Sequence, residues 1–161
     1  MSTRPQDCLY YLDANALCKF YRDEQGDLDL RRLVARSPSQ VLLSPLTVIE
    51  FVSVLMAYYR KGLLKRKQVH AIARRLRRDS AVGKTNRPFR VIPVPEGAFR
   101  EAEGILLQYA GTYSFASNDA LHLAIVIRQD AADPVVLVTS DRALKHVAWQ
   151  RSVTCYDPEL G

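Results

Sequence analysis

Short apolar runs alternate with longer segments of helical period along the whole of this 161-residue chain, and few architectures accept that order. Cys8–Leu12 reads as a short buried strand that ends at Asp13. Helices are predicted over Asn15–Arg22 and Asp27–Ala35, the second stopped by Ser37 and Pro38. Val41–Leu43 is a second strand. Ser44 and Pro45 then supply an N-cap and a first-turn proline for a helix that runs to Arg60 and stops at Gly62. A basic helix, a Gly83–Pro88 loop and a third strand over Val91–Val94 follow, the strand set near a sheet edge by Pro93. Glu96–Tyr109, Asn118–Arg128 and Arg142–Ala148 read as helices, and Val135–Thr139 and Val153–Tyr156 as the last two strands. The expectation is an α/β fold with a mostly parallel sheet and helices on both faces. No repeat, low-complexity tract or linker divides the chain. Its length fits one domain over 1–161, since domains commonly run ~100–150 residues.

Composition excludes several classes. With 48% hydrophobic and 25% charged residues the chain is an ordinary globular sequence rather than a disordered one. The longest apolar candidate, Val52–Tyr59, is eight residues, well short of the ~18 of a membrane span. The segment before Cys8 leads into too short an apolar stretch for a secretory signal. Cys8, Cys18 and Cys155 are odd in number and lack paired spacing, which argues for a reducing compartment and against a zinc site. A cytoplasmic location is the resulting expectation.

Charge is unevenly spread. Residues 60–90 hold twelve Lys or Arg and one acid, a balance of +11, whereas the rest of the chain carries −5. Within this lobe Val69, Ile72, Ala73 and Leu76 form a helical apolar stripe, with Lys67, Arg74, Arg75 and Arg78 on the other side. Such a face is either simply solvated or a contact for a polyanion, whose phosphates Lys and Arg bind by releasing counterions.

Four acids occupy positions where acids are costly. Asp13 and Asp141 follow the first and fourth strands, at the carboxyl edge where α/β proteins collect ligands. Taken singly, each also reads as a helix N-cap. Glu50 lies in a helix that is apolar nearly all round and calls for a partner. Thr47 and Ser44, one and two turns earlier, share its face. Asp119 opens its helix, where an acid also suits the helix dipole. If the four meet, pairs ~4 Å apart repel by ~4 kcal/mol at an effective dielectric of 20, so a cation is needed to keep them ionised. Carboxylates without His or Cys suit Mg²⁺ or Mn²⁺, which can activate water for phosphoryl displacement.

Leu12-Asp13-Ala14-Asn15, Ser44-Pro45-Leu46-Thr47-Val48-Ile49-Glu50, Asn118-Asp119-Ala120-Leu121-His122-Leu123-Ala124 and Leu137-Val138-Thr139-Ser140-Asp141 resemble, in order, the motifs of PIN-domain nucleases. The resemblance runs from about Tyr10 to Tyr156 and is strongest to the VapC-like toxins of type II toxin–antitoxin pairs. It implies a three-layer α/β/α domain with a five-stranded sheet and a basic helical hairpin. It also implies a Mg²⁺- or Mn²⁺-dependent endoribonuclease that forms a homodimer and is blocked by a cognate antitoxin. The family's acidic quartet falls on Asp13, Glu50, Asp119 and Asp141, with Asn15, Thr47, Thr139 and Ser140 as polar neighbours. The chain departs from the pattern at Ala14, where many relatives carry a hydroxyl, and at Asn118, where some carry another acid.

His70, His122 and His146 lie on separate helices without ligand spacing and read as core or surface residues. Trp149 and the tyrosines read as core and interface, with Tyr58 and Tyr59 as a dimer contact. G-x-S-x-G, the P-loop and G-x-G-x-x-G are all missing. Two rivals stand beside the nuclease. One is a non-catalytic module that grips RNA through the basic lobe. The other is an aspartyl-nucleophile phosphatase, against which Asp13-Ala14-Asn15 lacks the second Asp and the Thr.

Overall fold

The computed structural model describes residues 8–38, 40–83 and 86–161. The leader read for a secretory signal and Lys84 and Thr85 of the Gly83–Pro88 loop lie outside them. The elements run β1 (Leu9–Leu12), α1 (Ala14–Tyr21), α2 (Asp27–Arg36), β2 (Val41–Leu43), α3 (Pro45–Arg60), α4 (Arg66–Asp79), β3 (Arg90–Val91), α5 (Ala98–Tyr109), α6 (Ser117–Arg128), β4 (Val135–Val138), α7 (Arg142–Gln150) and β5 (Cys155–Tyr156). The five strands form one sheet in the order β3-β2-β1-β4-β5, and every pairing is parallel.

Side chains of successive strand residues point to opposite faces, and the sheet accordingly divides two cores. Tyr11, Leu42 and Leu137 pack on one face with α5, α6 and α7, through Ala102, Ile105, Leu123 and Val147 among others. Leu12, Val41, Leu43 and Val138 pack on the other with α1, α2, α3 and α4, through Leu17, Leu30, Phe51 and Leu76. The result is the expected α/β/α sandwich. The third strand is shorter than Val91–Val94 and does sit at the sheet edge, because Pro93 has no amide to extend the ladder. Helix α5 begins at Ala98 rather than Glu96, behind Gly97 in the left-handed region at φ 78°.

Register fixes what stands at the carboxyl edge. Leu12 is level with Val138, and the Asp13 amide donates to the Val138 carbonyl at 3.3 Å. Chain order reverses between β1 and β4, the switch point beside which open α/β sheets hold ligands. Residues that follow these two strands are therefore brought side by side.

The basic hairpin α3–α4 is tied to this frame through α1. The Tyr21 hydroxyl donates to Asp79 at 2.7 Å, and Arg75 lies over the Tyr21 ring at 5.2 Å while pairing with Asp79 at 3.6 Å. The C-terminal segment crosses back over the α1–α2 junction. There Gly26, at φ 83°, leaves room for the Pro158 backbone, whose carbonyl would stand 2.8 Å from an added Cβ. Gly62, at φ 71°, has open space around the same position. In urea denaturation Gly62→Ala should cost about 1–2 kcal/mol for its left-handed backbone alone. Gly26→Ala should cost at least about 1 kcal/mol more, because backbone must also move.

Candidate active site

Three aspartates stand at three helix N-termini around the switch point, and each uses one oxygen as a cap. Asp13 Oδ1 accepts from the Ala16 amide of α1 at 2.7 Å, and Asp141 Oδ1 accepts from the Leu144 amide of α7 at 2.7 Å. Asp119 Oδ2 accepts from the Ala116 amide at 2.9 Å, just before α6. Cap and site are thus the same residues in all three cases. The capping amides and the positive ends of the helices offset part of the cost of holding negative charge here.

Glu50 is held differently, since it lies within α3, past its first turn. Asn118 Nδ2 donates to its Oε1 at 2.6 Å, and the His122 Nε2 donates to its Oε2. The partner that the apolar surroundings of Glu50 demand is therefore on α6. Asn118, where an acid was the family alternative, serves as an amide donor.

Asp13, Asn15, Glu50, Asn118, Asp119 and His122 line one cavity of about 240 Å³. Asp141 and Ser140 line an adjoining one of about 410 Å³ together with Lys19 and Glu159, and Asn15 borders both. Thr139 is buried beneath them, its Oγ1 accepting from the Asp141 amide at 3.1 Å. Thr47 does not reach the cavity. Its hydroxyl donates to the Leu12 carbonyl at 3.0 Å and stands behind Glu50. Lys67, Arg74, Arg75 and Arg78 are exposed on α4, and Arg75 is the one already committed to Asp79 and Tyr21.

Electrostatics separate Asp13 and Asp119 from Glu50. Burial raises the Asp13 carboxyl, and nearby Asp119 adds to that, against the opposing Thr139 and Ala16 hydrogen bonds. Asp119 is likewise raised, first by burial and further by Asp141 and Glu50. Glu50 moves the other way. Burial pushes it up, but the His122 hydrogen bond and charge, with Asn118, outweigh that and hold it below the ordinary carboxylate range.

A cation suits this cup. Among the described residues no Lys or Arg pairs with Asp13, Asp119 or Asp141. The nearest lysines are taken: Lys19 by Glu159 at 2.6 Å, and Lys145 by Asp157. Yet no three such side chains among the described residues close round a single point. An open half-shell of oxygens fits Mg²⁺ or Mn²⁺, which keep several waters and take few protein ligands.

The sequence model of the PIN domain matches residues 10–150. The chain belongs to the PIN-domain family. No curated protein sequence gives a significant match. Among solved structures, this PIN domain is similar to FitAcB from Neisseria gonorrhoeae, with 20% identity over 93% of this chain and 98% of the other, at a TM-score of 0.62. It is also similar to VapC20 from Mycobacterium tuberculosis, described as a sarcin–ricin loop cleaving toxin, with 20% identity over 85% and 93% and a TM-score of 0.60. A toxin–antitoxin complex from Klebsiella pneumoniae matches at 15% identity over 82% and 86%, with a TM-score of 0.52. No helix among the described residues is long and apolar enough to cross a membrane.

Sequence reading missed His122. It is 2% exposed and sits three residues after Asp119, so the two share a face of α6; that spacing was the available signal. The raised Asp119 carboxyl has a consequence for stability. A carboxyl whose pKa is higher in the folded state makes the ionised form unfavourable, so stability is lost as pH rises from the unfolded pKa of ~3.9 through the folded one. Asp119→Asn keeps a side-chain acceptor and removes the charge. In EDTA at pH 7 it should melt a few degrees above wild type, with the gap closing near pH 3 in a thermal melt followed by circular dichroism.

Proposed function

We propose that this PIN domain is a Mg²⁺- or Mn²⁺-dependent endoribonuclease and the toxin of a type II toxin–antitoxin pair. The observation that carries the reading is the group of three aspartates at the switch point, each capping a helix start and, among the described residues, without a Lys or Arg partner. The likeness to a cleaving toxin and to a toxin–antitoxin complex supports the same reading.

In this reading Asp13, Asp119, Asp141 and Glu50 hold the cation, directly or through its waters. Bound there, the cation supplies Lewis-acid activation of water and neutralises charge on the scissile phosphate. The chain's own residues do the rest. Asn15 borders both cavities and can orient the sugar–phosphate backbone by its amide. The hydroxyls of Thr139 and Ser140 brace the Asp141 turn: Thr139 accepts the Asp141 amide, and Ser140 donates to Asp157 at 2.7 Å. Water rather than a side chain is the nucleophile in this reading, and the family resemblance implies ends with a 5′-phosphate and a 3′-hydroxyl. Lys67, Arg74, Arg75 and Arg78 draw the polyanion toward the acidic body, which by itself would repel it.

The partners follow from the same chemistry. An antitoxin that presents Arg or Lys to the cup would satisfy the carboxylates in place of the cation. Exposed Ile49, Met56 and Tyr59 along α3 support association with a second copy.

Two outcomes test this reading. Wild-type protein should cut purified RNA with Mg²⁺ or Mn²⁺ and not with EDTA, while Asp119→Asn, folded by circular dichroism, should lose at least about 100-fold in rate, as removal of a transition-state charge partner commonly does. Equal cutting by both, or ends carrying a 2′,3′-cyclic phosphate, would overturn it. Separately, Arg74→Gln and Arg78→Gln should each weaken single-stranded RNA binding regardless of sequence. Each should flatten the slope of log K against log salt by about 0.7 if that side chain touches a phosphate; an unchanged slope removes it from the interface.

A further inference from the structure

Behind Glu50 runs a chain of buried polar groups that none of the roles above absorbs. The His122 Nδ1 meets the Tyr11 hydroxyl at 2.8 Å, and Tyr11 meets Ser44 Oγ at 2.7 Å. Thr47 Oγ1 lies 3.3 Å from both the Tyr11 and the Ser44 hydroxyls and closes the chain on the Leu12 carbonyl at 3.0 Å. Tyr11, Ser44, Thr47 and Leu12 are fully buried, and His122 is nearly so. A core built for packing alone would use apolar side chains here, because each buried polar group costs about 1–3 kcal/mol unless it is bonded. Here every member is bonded.

The chain has a direction at its Glu50 end. An ionised carboxylate can only accept, so the His122 Nε2 carries the proton and donates it. With Asn118 on the other oxygen, both Glu50 oxygens are gripped from the α6 side. The chain also links β1, α3 and α6, the elements that bear or directly precede Asp13, Glu50 and Asp119. The Tyr11 and His122 rings stand 5.7 Å apart at 58°, so neither can swing without displacing the other.

We infer that His122, held by the Tyr11 hydroxyl, is the positioning residue that fixes the Glu50 carboxylate toward the cup and thereby sets its affinity for a divalent cation. The inference rests on the metal-dependent reading of the site. His122 does not touch the cation or the substrate; it acts through Glu50, as the partners behind metal ligands generally do.

The test titrates Mn²⁺ into the full chain and follows free Mn²⁺ by electron paramagnetic resonance, with thermal midpoints measured alongside. Wild type should bind, and Asp13→Asn should bind far more weakly. His122→Leu should weaken binding by about 10- to 100-fold, the usual effect of losing a partner behind a ligand. His122→Gln, whose amide can still donate to Glu50, should recover most of that loss, which a purely packing role would not produce. Tyr11→Phe keeps the ring and should weaken binding by less than His122→Leu. If wild type and Asp13→Asn differ as stated but His122→Leu binds as wild type does, the positioning role fails and the nuclease reading stands. If wild type binds no Mn²⁺, or Asp13→Asn binds it equally well, both fail together. Should His122→Leu not fold, Tyr11→Phe decides, and wild-type affinity in that variant overturns the inference.

Discussion

The backbone amides at three helix N-termini are what allow this protein to hold acids around the switch point of its sheet. An all-parallel sheet sends every strand out at the same edge, and every following helix starts there. Each start leaves amides that need acceptors. Asp13 and Asp141 meet that need on α1 and α7, and Asp119 meets it just ahead of α6. One oxygen of each is thereby fixed by its own helix start. The fold therefore stabilises and orients the same carboxylates that burial and mutual repulsion make unfavourable. The raised Asp13 and Asp119 carboxyls record the part of that cost left over.

Cations are kept away from the cup as deliberately as acids are gathered. Lys19, which lines the adjoining cavity, is paired with Glu159, and Lys145 on α7 with Asp157, both acids of the C-terminal segment. Arg75 is turned onto Tyr21 and Asp79. Lys67, Arg74 and Arg78 are exposed on α4. Charge is thus segregated into a basic surface on α4 and an acidic hollow at the switch point. The Tyr21–Asp79 hydrogen bond, which ties α1 to α4, holds the two in a fixed relation.

The architecture was legible from the alternation of apolar runs and helical segments, because the central strands β1, β2 and β4 are largely buried on both faces and the helices carry apolar stripes. The edges were less so. Arg90–Val91 and Cys155–Tyr156 are two residues each, set by where neighbours end rather than by their own pattern, and Pro93 trims the first. In the site, the cap reading of Asp13 and Asp141 holds, since each accepts the amide of its following helix, and that role leaves the proposed ligand role open to both. Thr47 was read as a polar neighbour of the acids from its spacing to Glu50, yet its hydroxyl turns inward to Leu12. His122 was passed over because a lone His in an apolar helix usually belongs to the core. Its partners, Tyr11 and Glu50, are 111 and 72 residues away along the chain, and no local pattern carries that information.

Glu50 explains why the polar chain exists at all. The three aspartates draw their donors from helix ends, but a residue in the second turn of a helix has its own amides engaged in the helix ladder. A carboxylate at that position must find side-chain donors or be pushed toward its neutral form. Asn118 and His122 supply them from α6, and Tyr11, Ser44 and Thr47 satisfy the far side of the imidazole so that it is not itself left wanting. Burial raises the phenol of Tyr11 to about 12, so it stays protonated and able to bridge. The four acids are thus held by two routes, three through backbone amides and one through a relay of side chains. Only the second depends on residues that a sequence motif built around the acids would not include.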